Sequence, residues 1–310
     1  MRLPLYQVDA FTGDLFGGNP AAVCPLERWL PDATMQAIAA ENNLSETAFF
    51  VRDRDGYRLR WFTPTVEVDL CGHATLASGF VVMSFIEPGR EAVSFRTVKA
   101  GTLTVTRDEN MLAMDFPGRP AAAAEAPAGL LEALGGTPRA VLRARDYLVV
   151  YDSAGEVAAL KPDFAALAAV KDCWAAIATA PGDNGADFVS RFFAPAQGVP
   201  EDPATGSSHC TLTPYWAQRL GKRTLEARQL SRRGGALRCT QNGERITIAG
   251  RAPSSATSNV DHRARRRTLR NTTRSGTIGL IPSKLKSTWQ SDSTTALGLS
   301  FSRVSDKHRR

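Results

Sequence analysis

The sequence predicts an α+β protein built by internal duplication, with two related halves that each wrap mostly antiparallel strands around one apolar helix. Two observations carry that reading. Trp61-Phe62-Thr63-Pro64, a short acidic loop and Asp69-Leu70-Cys71-Gly72-His73-Ala74-Thr75 return as Phe192-Phe193-Ala194-Pro195, a loop and Glu201-Asp202-Pro203-Ala204-Thr205-Gly206-Ser207-Ser208-His209. Phe62 to Phe193 is 131 positions and Gly72 to Gly206 is 134, so the echo keeps its register. Around each copy, short strand-like runs separated by turns leave a single helix to serve as the centre of the half.

Taken in order, residues 3–10 read as a strand and 13–20 as a Gly-rich loop. A helix opens at Pro31-Asp32, with Asp32 as N-cap, Met35, Ile38 and Ala39 at helical spacing, and Asn42-Asn43 at its end. Residues 47–51 and 57–62 flank an Asp55-Gly56 turn, a hairpin signature. Residues 72–86 are apolar nearly all round, as a helix buried inside a sheet would be. Strands follow near 93–98, 102–106 and 111–116. Pro- and Ala-rich sequence then marks a linker, which sets an N-terminal half at 1–117, a linker at 118–128 and a C-terminal half at 129–252.

In the second half, helices are expected near 129–135 and 162–170, and strands near 147–151, 174–179 and 187–193. The second central helix runs from Gly206 towards Gly221, with Pro214 kinking it. Strands near 224–230, 236–240 and 245–249 close the half. Residues 254–310 hold 19 Ser or Thr and no sustained apolar period, so 253–310 reads as a disordered or non-native basic tail. A frameshift after Gly250 would produce such a tail. An uninterrupted frame on resequencing, with tail-dependent activity, would overturn that expectation.

The net charge of +7 belongs to this tail. Of 38 Lys and Arg and 31 Asp and Glu, 12 and 3 lie in 253–310, which leaves 26 and 28 in the body, a balance of −2. A nucleic-acid partner is therefore not expected. No stretch approaches the roughly 20 apolar residues of a membrane helix, and Met1-Arg2-Leu3-Pro4-Leu5 runs straight into strand-like sequence without a secretory h-region. Five cysteines form an odd count with no C-x-x-C pair, so neither a disulfide framework nor a zinc site is expected, and a reducing cytoplasm fits. No motif asks for a nucleotide, pyridoxal phosphate or metal.

Two helix N-termini facing one cleft would present unpaired N–H groups and partial positive charge to a small carboxylate. Glu46 opens a hydrophobic strand, where burial would raise its pKa into the range of a general acid/base. It could equally cap backbone at a strand edge. His73, in the first turn of the first central helix, would be held neutral by the positive helix end, or could simply be satisfied by backbone. Asp202 could cap the second helix or orient the acid/base partner, and Gly206-Ser207 could bind an anion or be ordinary capping. Cys71, beside the first helix N-terminus, is expected to have a lowered pKa. A two-thiol racemase would need a second cysteine where Thr205 stands, and Cys210 lies a full turn further in.

Four segments together, Gly17-Gly18-Asn19-Pro20-Ala21-Ala22-Val23, Asn43-Leu44-Ser45-Glu46-Thr47-Ala48-Phe49, Asp69–Thr75 and Glu201–Ser207, resemble the PhzF family. These are the phenazine-biosynthesis isomerases of the diaminopimelate-epimerase-like fold, and the resemblance covers about residues 3–252. It implies two pseudo-symmetric halves, each a curved sheet around a central helix, with the site between them, and a strand after Gly250 that completes a sheet and is replaced here by Ala252-Pro253-Ser254-Ser255 and the tail. It also implies a cofactor-free isomerisation by proton transfer, which in the type enzyme acts on trans-2,3-dihydro-3-hydroxyanthranilate. Glu46 would be the general acid/base, assisted by His73 and Asp202, while Gly72, Gly206 and Ser207, with Asn19, would hold the substrate and its carboxylate. A homodimer is what the family suggests. The competing readings are an epimerase or racemase of the same fold, and a non-catalytic or inactivated member.

Overall fold

Backbone pairing repeats between the halves just as the sequence motif does. The computed structural model describes residues 2–261, all within one compact unit. The first half runs β1 (Arg2–Ala10), β2 (Asn19–Leu26), α1 (Asp32–Asn42), β3 (Glu46–Asp53), β4 (Gly56–Phe62), β5 (Glu67–Val68), α2 (Gly72–Val81), β6 (Ala92–Arg96), β7 (Thr102–Asp108) and β8 (Met111–Pro117). After β9 (Ala122–Ala123) and α3 (Leu130–Leu134), the second half runs β10 (Ala140–Arg143), β11 (Tyr147–Val150), α4 (Ala154–Ala159), α5 (Phe164–Ala169), β12 (Ala176–Pro181), β13 (Phe188–Ala194), β14 (Val199–Asp202), α6 (Gly206–Leu220), β15 (Thr224–Gln229), β16 (Gly235–Asn242) and β17 (Arg245–Gly250), followed by β18 (Ser254–Asp261).

The ladder β1-β2-β3-β4, with β2–β3 parallel and β4 also bonded to β5 and, in parallel, to β6, has its counterpart in β10-β11-β12-β13, with β11–β12 parallel and β13 bonded to β14 and, in parallel, to β15. Antiparallel β6-β7-β8 matches β15-β16-β17. The equivalent strands β8 and β17 then pair with each other, and so join the halves. Each half also lends the strand that follows it: β9 pairs with β10, and β18 pairs with β1. Residues 254–261 therefore form the strand that the sequence reading took to be lost to the tail. A β ladder is made by main-chain groups, so Ser- and Thr-rich sequence can complete it; Asp9 N–H donates to Pro253 O at 3.0 Å, leading the chain in. The expectation of disorder for 262–310 lies outside the described residues.

Local departures from expectation have local causes. Asp32 is the first residue of α1, not its cap; Pro31 stands at the N-cap without a side-chain bond, and Asp32 pairs with Arg60 at 2.8 Å instead. The β3–β4 turn is Arg54-Asp55, and Gly56 already belongs to β4. A Cβ there would lie 2.4 Å from Ser94 O, so Gly56 serves the close approach of β4 to β6. The first central helix is α-helical only to Val81 and continues over Val82–Ile86 as a π-helix. The expected linker contains β9, and short α4 and β10 were not anticipated.

Both halves feed one core. Phe50, Trp61 and Leu76 from the first share a buried cluster with Leu212, Trp216 and Ile248 from the second. Separate clusters sit under α1 and under α3 and α5. Within α2, Gly79 lies against Val105 of β7, where an added Cβ would come 2.6 Å from Cγ1 and 2.7 Å from Cβ of that valine. Helix propensity alone would make Gly79→Ala favourable by about 1 kcal/mol, but overpacking costs about 1–3 kcal/mol. Gly79→Ala is therefore expected to be destabilising, by up to about 2 kcal/mol, in urea unfolding; a rise in stability would show that β7 can yield there.

Candidate active site

The two apolar helices begin at one cavity of about 220 Å³, lined by Glu46, Gly72, His73, Asp202, Gly206 and Ser207 among others. Cys71 and Thr205 are the N-cap residues of α2 and α6, both extended, and neither makes a side-chain capping bond. The helix starts thus offer backbone N–H groups to an anion rather than to their own caps. Gly206 faces the Phe11 ring, which a Cβ there would meet at ordinary contact distance, 3.4 Å from Cζ.

Glu46 enters from the first residue of β3, held beside β2 by the Ala21–Glu46 register. Its Oε2 is buried and makes no hydrogen bond, which sets aside the backbone-capping alternative. Burial, then the nearby Asp202 carboxylate, push its pKa up to about 7, with the Cys71 thiol offsetting part of the rise. His73 Nε2 is 3.2 Å from Glu46 Oε2; both atoms are buried and neither makes a hydrogen bond. Burial lowers the His73 pKa to about 3, so the ring is neutral. Its other nitrogen, Nδ1, is 3.5 Å from Cys71 Sγ. The thiol has one proton to give, and Glu46 and Nδ1 both lie within its reach.

Cys71 corrects the expectation of a reactive thiol. Burial first, and the adjacent Glu46 charge second, hold its pKa well above the ordinary thiol value, and these outweigh the helix end. Glu46, Cys71 and His73 do bring potential ligand atoms within 4.8 Å of one another, a grouping of metal-ligand type. A thiol kept protonated works against that use, because a ligand cysteine must lose its proton.

Asp202, at the end of β14, accepts from Asn19 Nδ2 at 2.9 Å and from the Thr205 hydroxyl. Burial raises its pKa to about 6, while those two donors hold it back. It orients within the site and does not cap α6. Asn19 gives its second amide hydrogen to Ala204 O at 3.0 Å and does not line the cavity. The expectation that Asn19 touches substrate gives way to a supporting position behind Asp202. Gln229, missed from sequence, completes that support: its Oε1 accepts from Thr205 N at 2.8 Å and its Nε2 donates to Asp202 O at 2.7 Å. No short motif marks it. Arg119 and Arg145 also reach the cavity, the first from the expected linker and the second from a stretch with no element assigned, and no short motif marks them either.

Strand register gives the counterparts of these residues across the duplication. Thr47 pairs with Phe62 as Ala176 pairs with Phe193, so Glu46 corresponds to the buried Ala175. Trp61 pairs with Val68 as Phe192 pairs with Asp202, so Asp202 corresponds to Val68. The helix starts are shared between halves, and the carboxylates are not.

Comparison with known proteins identifies the family and the fold. The family model for phenazine biosynthesis-like proteins, PhzC-PhzF, matches residues 8–258. An uncharacterized isomerase of Pseudomonas aeruginosa is 54% identical over 253 residues, covering 81% of this chain and 96% of the relative. A crystal structure of a PhzF-family protein from Enterococcus faecalis is 44% identical with a TM-score of 0.82, covering 84% of this chain and all (100%) of that one. A hydroxyproline epimerase of Agrobacterium vitis shares the fold alone, at 12% identity and a TM-score of 0.52 over 84% of this chain and 92% of that one.

In the fold Glu46 keeps its proton up to about pH 7, against 4.5 for an ordinary glutamate. Between those values the unfolded chain sheds a proton that the folded one retains, so stability is full below pH 4.5 and falls as pH rises through 7. Glu46→Gln removes that loss. It is expected to be about 1–3 kcal/mol more stable than the parent at about pH 8 and equal to it below about pH 4, by urea unfolding at both pH values. Equal stability at both would show that the carboxylate is not strained by burial.

Proposed function

The chain belongs to the phenazine biosynthesis-like PhzF family, and on that premise we propose that it is a cofactor-independent isomerase of a small carboxylate metabolite. Its relatives and fold are of the isomerase and epimerase kind. The observation that carries the finer reading is the single buried Glu46 carboxyl, with its pKa raised to about 7 beside a neutral His73. A group with that pKa can take a proton from one carbon and return it to another near neutral pH. The substrate carboxylate would lie between the starts of α2 and α6, against Gly72, Gly206 and Ser207, which would fix the reacting carbons over Glu46. His73 Nε2–H would steady Glu46 and the charge developing in the transition state. Asp202, held by Asn19 and Thr205, would assist the transfer from the other half. We place the protein in the cytoplasm, a reading supported by five free cysteines; among the described residues no helix is long and apolar enough to cross a membrane.

Asp202, with a pKa raised to about 6 in the same cavity, favours one alternative: epimerisation at a single carbon with Glu46 and Asp202 as the two bases. Proton bookkeeping in deuterated water separates the two. A panel of small carboxylates that includes trans-2,3-dihydro-3-hydroxyanthranilate is incubated with the parent and with Glu46→Gln. One-carboxylate isomerisation returns part of the substrate's own proton to the product, whereas two-base epimerisation brings in solvent deuterium on inversion. Glu46→Gln is expected to lower the rate by about 10²–10⁴-fold. Turnover that survives this substitution would overturn the role given to Glu46, and no turnover across the panel would favour a binding protein.

A further inference from the structure

Arg119 follows β8 in Gly118-Arg119-Pro120 and lines the cavity, anchored by its own backbone N–H donating to Cys210 O of α6 at 2.8 Å. The residue is only partly buried; its Nη1 makes no hydrogen bond, and among the described residues no ion pair joins its guanidinium to a carboxylate. The other guanidinium at this cavity is already satisfied: Arg145 binds both oxygens of Asp146 at 2.9 and 3.0 Å and lies 4.1 Å from the Trp174 ring centroid. A guanidinium keeps its charge, so one at the wall of a cavity without a carboxylate partner is suited to receive an anion. Arg is also suited to bidentate capture of a carboxylate. The starts of α2 and α6 already provide for one acid group, and Arg119 belongs to neither helix.

We propose that Arg119 receives a second anionic group, so that the substrate of this cavity is a small dicarboxylate, held at one end by the two helix N-termini and at the other by the Arg119 guanidinium. The proposal rests on the isomerase reading only in placing the substrate in the same cavity, and its test uses binding, not turnover. Succinate, glutarate and adipate are titrated calorimetrically into the full chain against butyrate, pentanoate and hexanoate. At least one dicarboxylate is expected to bind about ten-fold or more tightly than its chain-matched monocarboxylate. Arg119→Met should reduce that preference to within about three-fold while leaving monocarboxylate affinity nearly unchanged, and Arg119→Lys should keep part of it.

Glu46→Gln, which lacks the acid/base group but retains both anchors, should keep the preference in full. Equal binding of the matched pairs by the parent, no binding of any dicarboxylate up to about 10 mM, or an equal loss of both classes in Arg119→Met would overturn the proposal. The parent protein and Arg119→Lys decide the matter if Arg119→Met does not fold. Dicarboxylate preference without proton exchange on any substrate would remove the isomerase reading and leave this one standing. Proton exchange confined to monocarboxylates would do the reverse.

Discussion

The antiparallel ladder between β8 and β17, from Leu112 opposite Gly250 to Pro117 opposite Arg245, joins the two sheets edge to edge and brings the starts of α2 and α6 to a single cavity. Phe11 reinforces the join. It lies where a Cβ on Gly250 would be 2.5 Å away and one on Gly206 3.4 Å away, and its carbonyl accepts from Ala236 N at 2.8 Å. Exchange of β9 and β18 ties each half to the first strand of the other. Were the halves joined only by a linker, their relative position would be free to vary. With shared strands, two uncapped helix ends can converge on one anion.

On that symmetric frame the chemistry is one-sided. Glu46 has Ala175 as its counterpart and Asp202 has Val68, so the two carboxylates come from non-equivalent positions on opposite halves. Each is desolvated, and each raises the cost of ionising its neighbourhood. The shifts in Glu46 and Asp202 therefore belong to the arrangement and not to either residue alone. Burying the Glu46 carboxyl costs stability once it ionises, and on the proposed reading that cost accompanies a group able to take and give a proton. The same burial explains Cys71: a thiol beside a carboxylate in a closed site is kept protonated whatever the helix end contributes.

Much of this was legible in the residues. The repeat beginning at Trp61 and Phe192 announced the duplication, and Glu46, Gly72, His73, Asp202, Gly206 and Ser207 do meet at one cavity. Three positions were not legible, because their roles depend on partners far along the chain. Asn19 supports Asp202 from 183 residues away. Gln229 reaches back to Thr205 across 24 residues. Arg119 stands in Pro-rich sequence that reads as a linker, and its significance is a missing partner, which no sequence pattern displays.

By itself, the sequence determined the duplicated α+β plan, the two apolar helices and the residue types at their starts, since strand alternation, turns and helix starts are local and are written in neighbouring residues. Only the tertiary structure decided which groups are desolvated together, that Asn19 serves Asp202, and that residues 254–261 complete the sheet on β1. The physical reason is the same in each case. Main-chain pairing asks little of side-chain identity, and a pKa or an unpaired charge is a property of everything that surrounds a group.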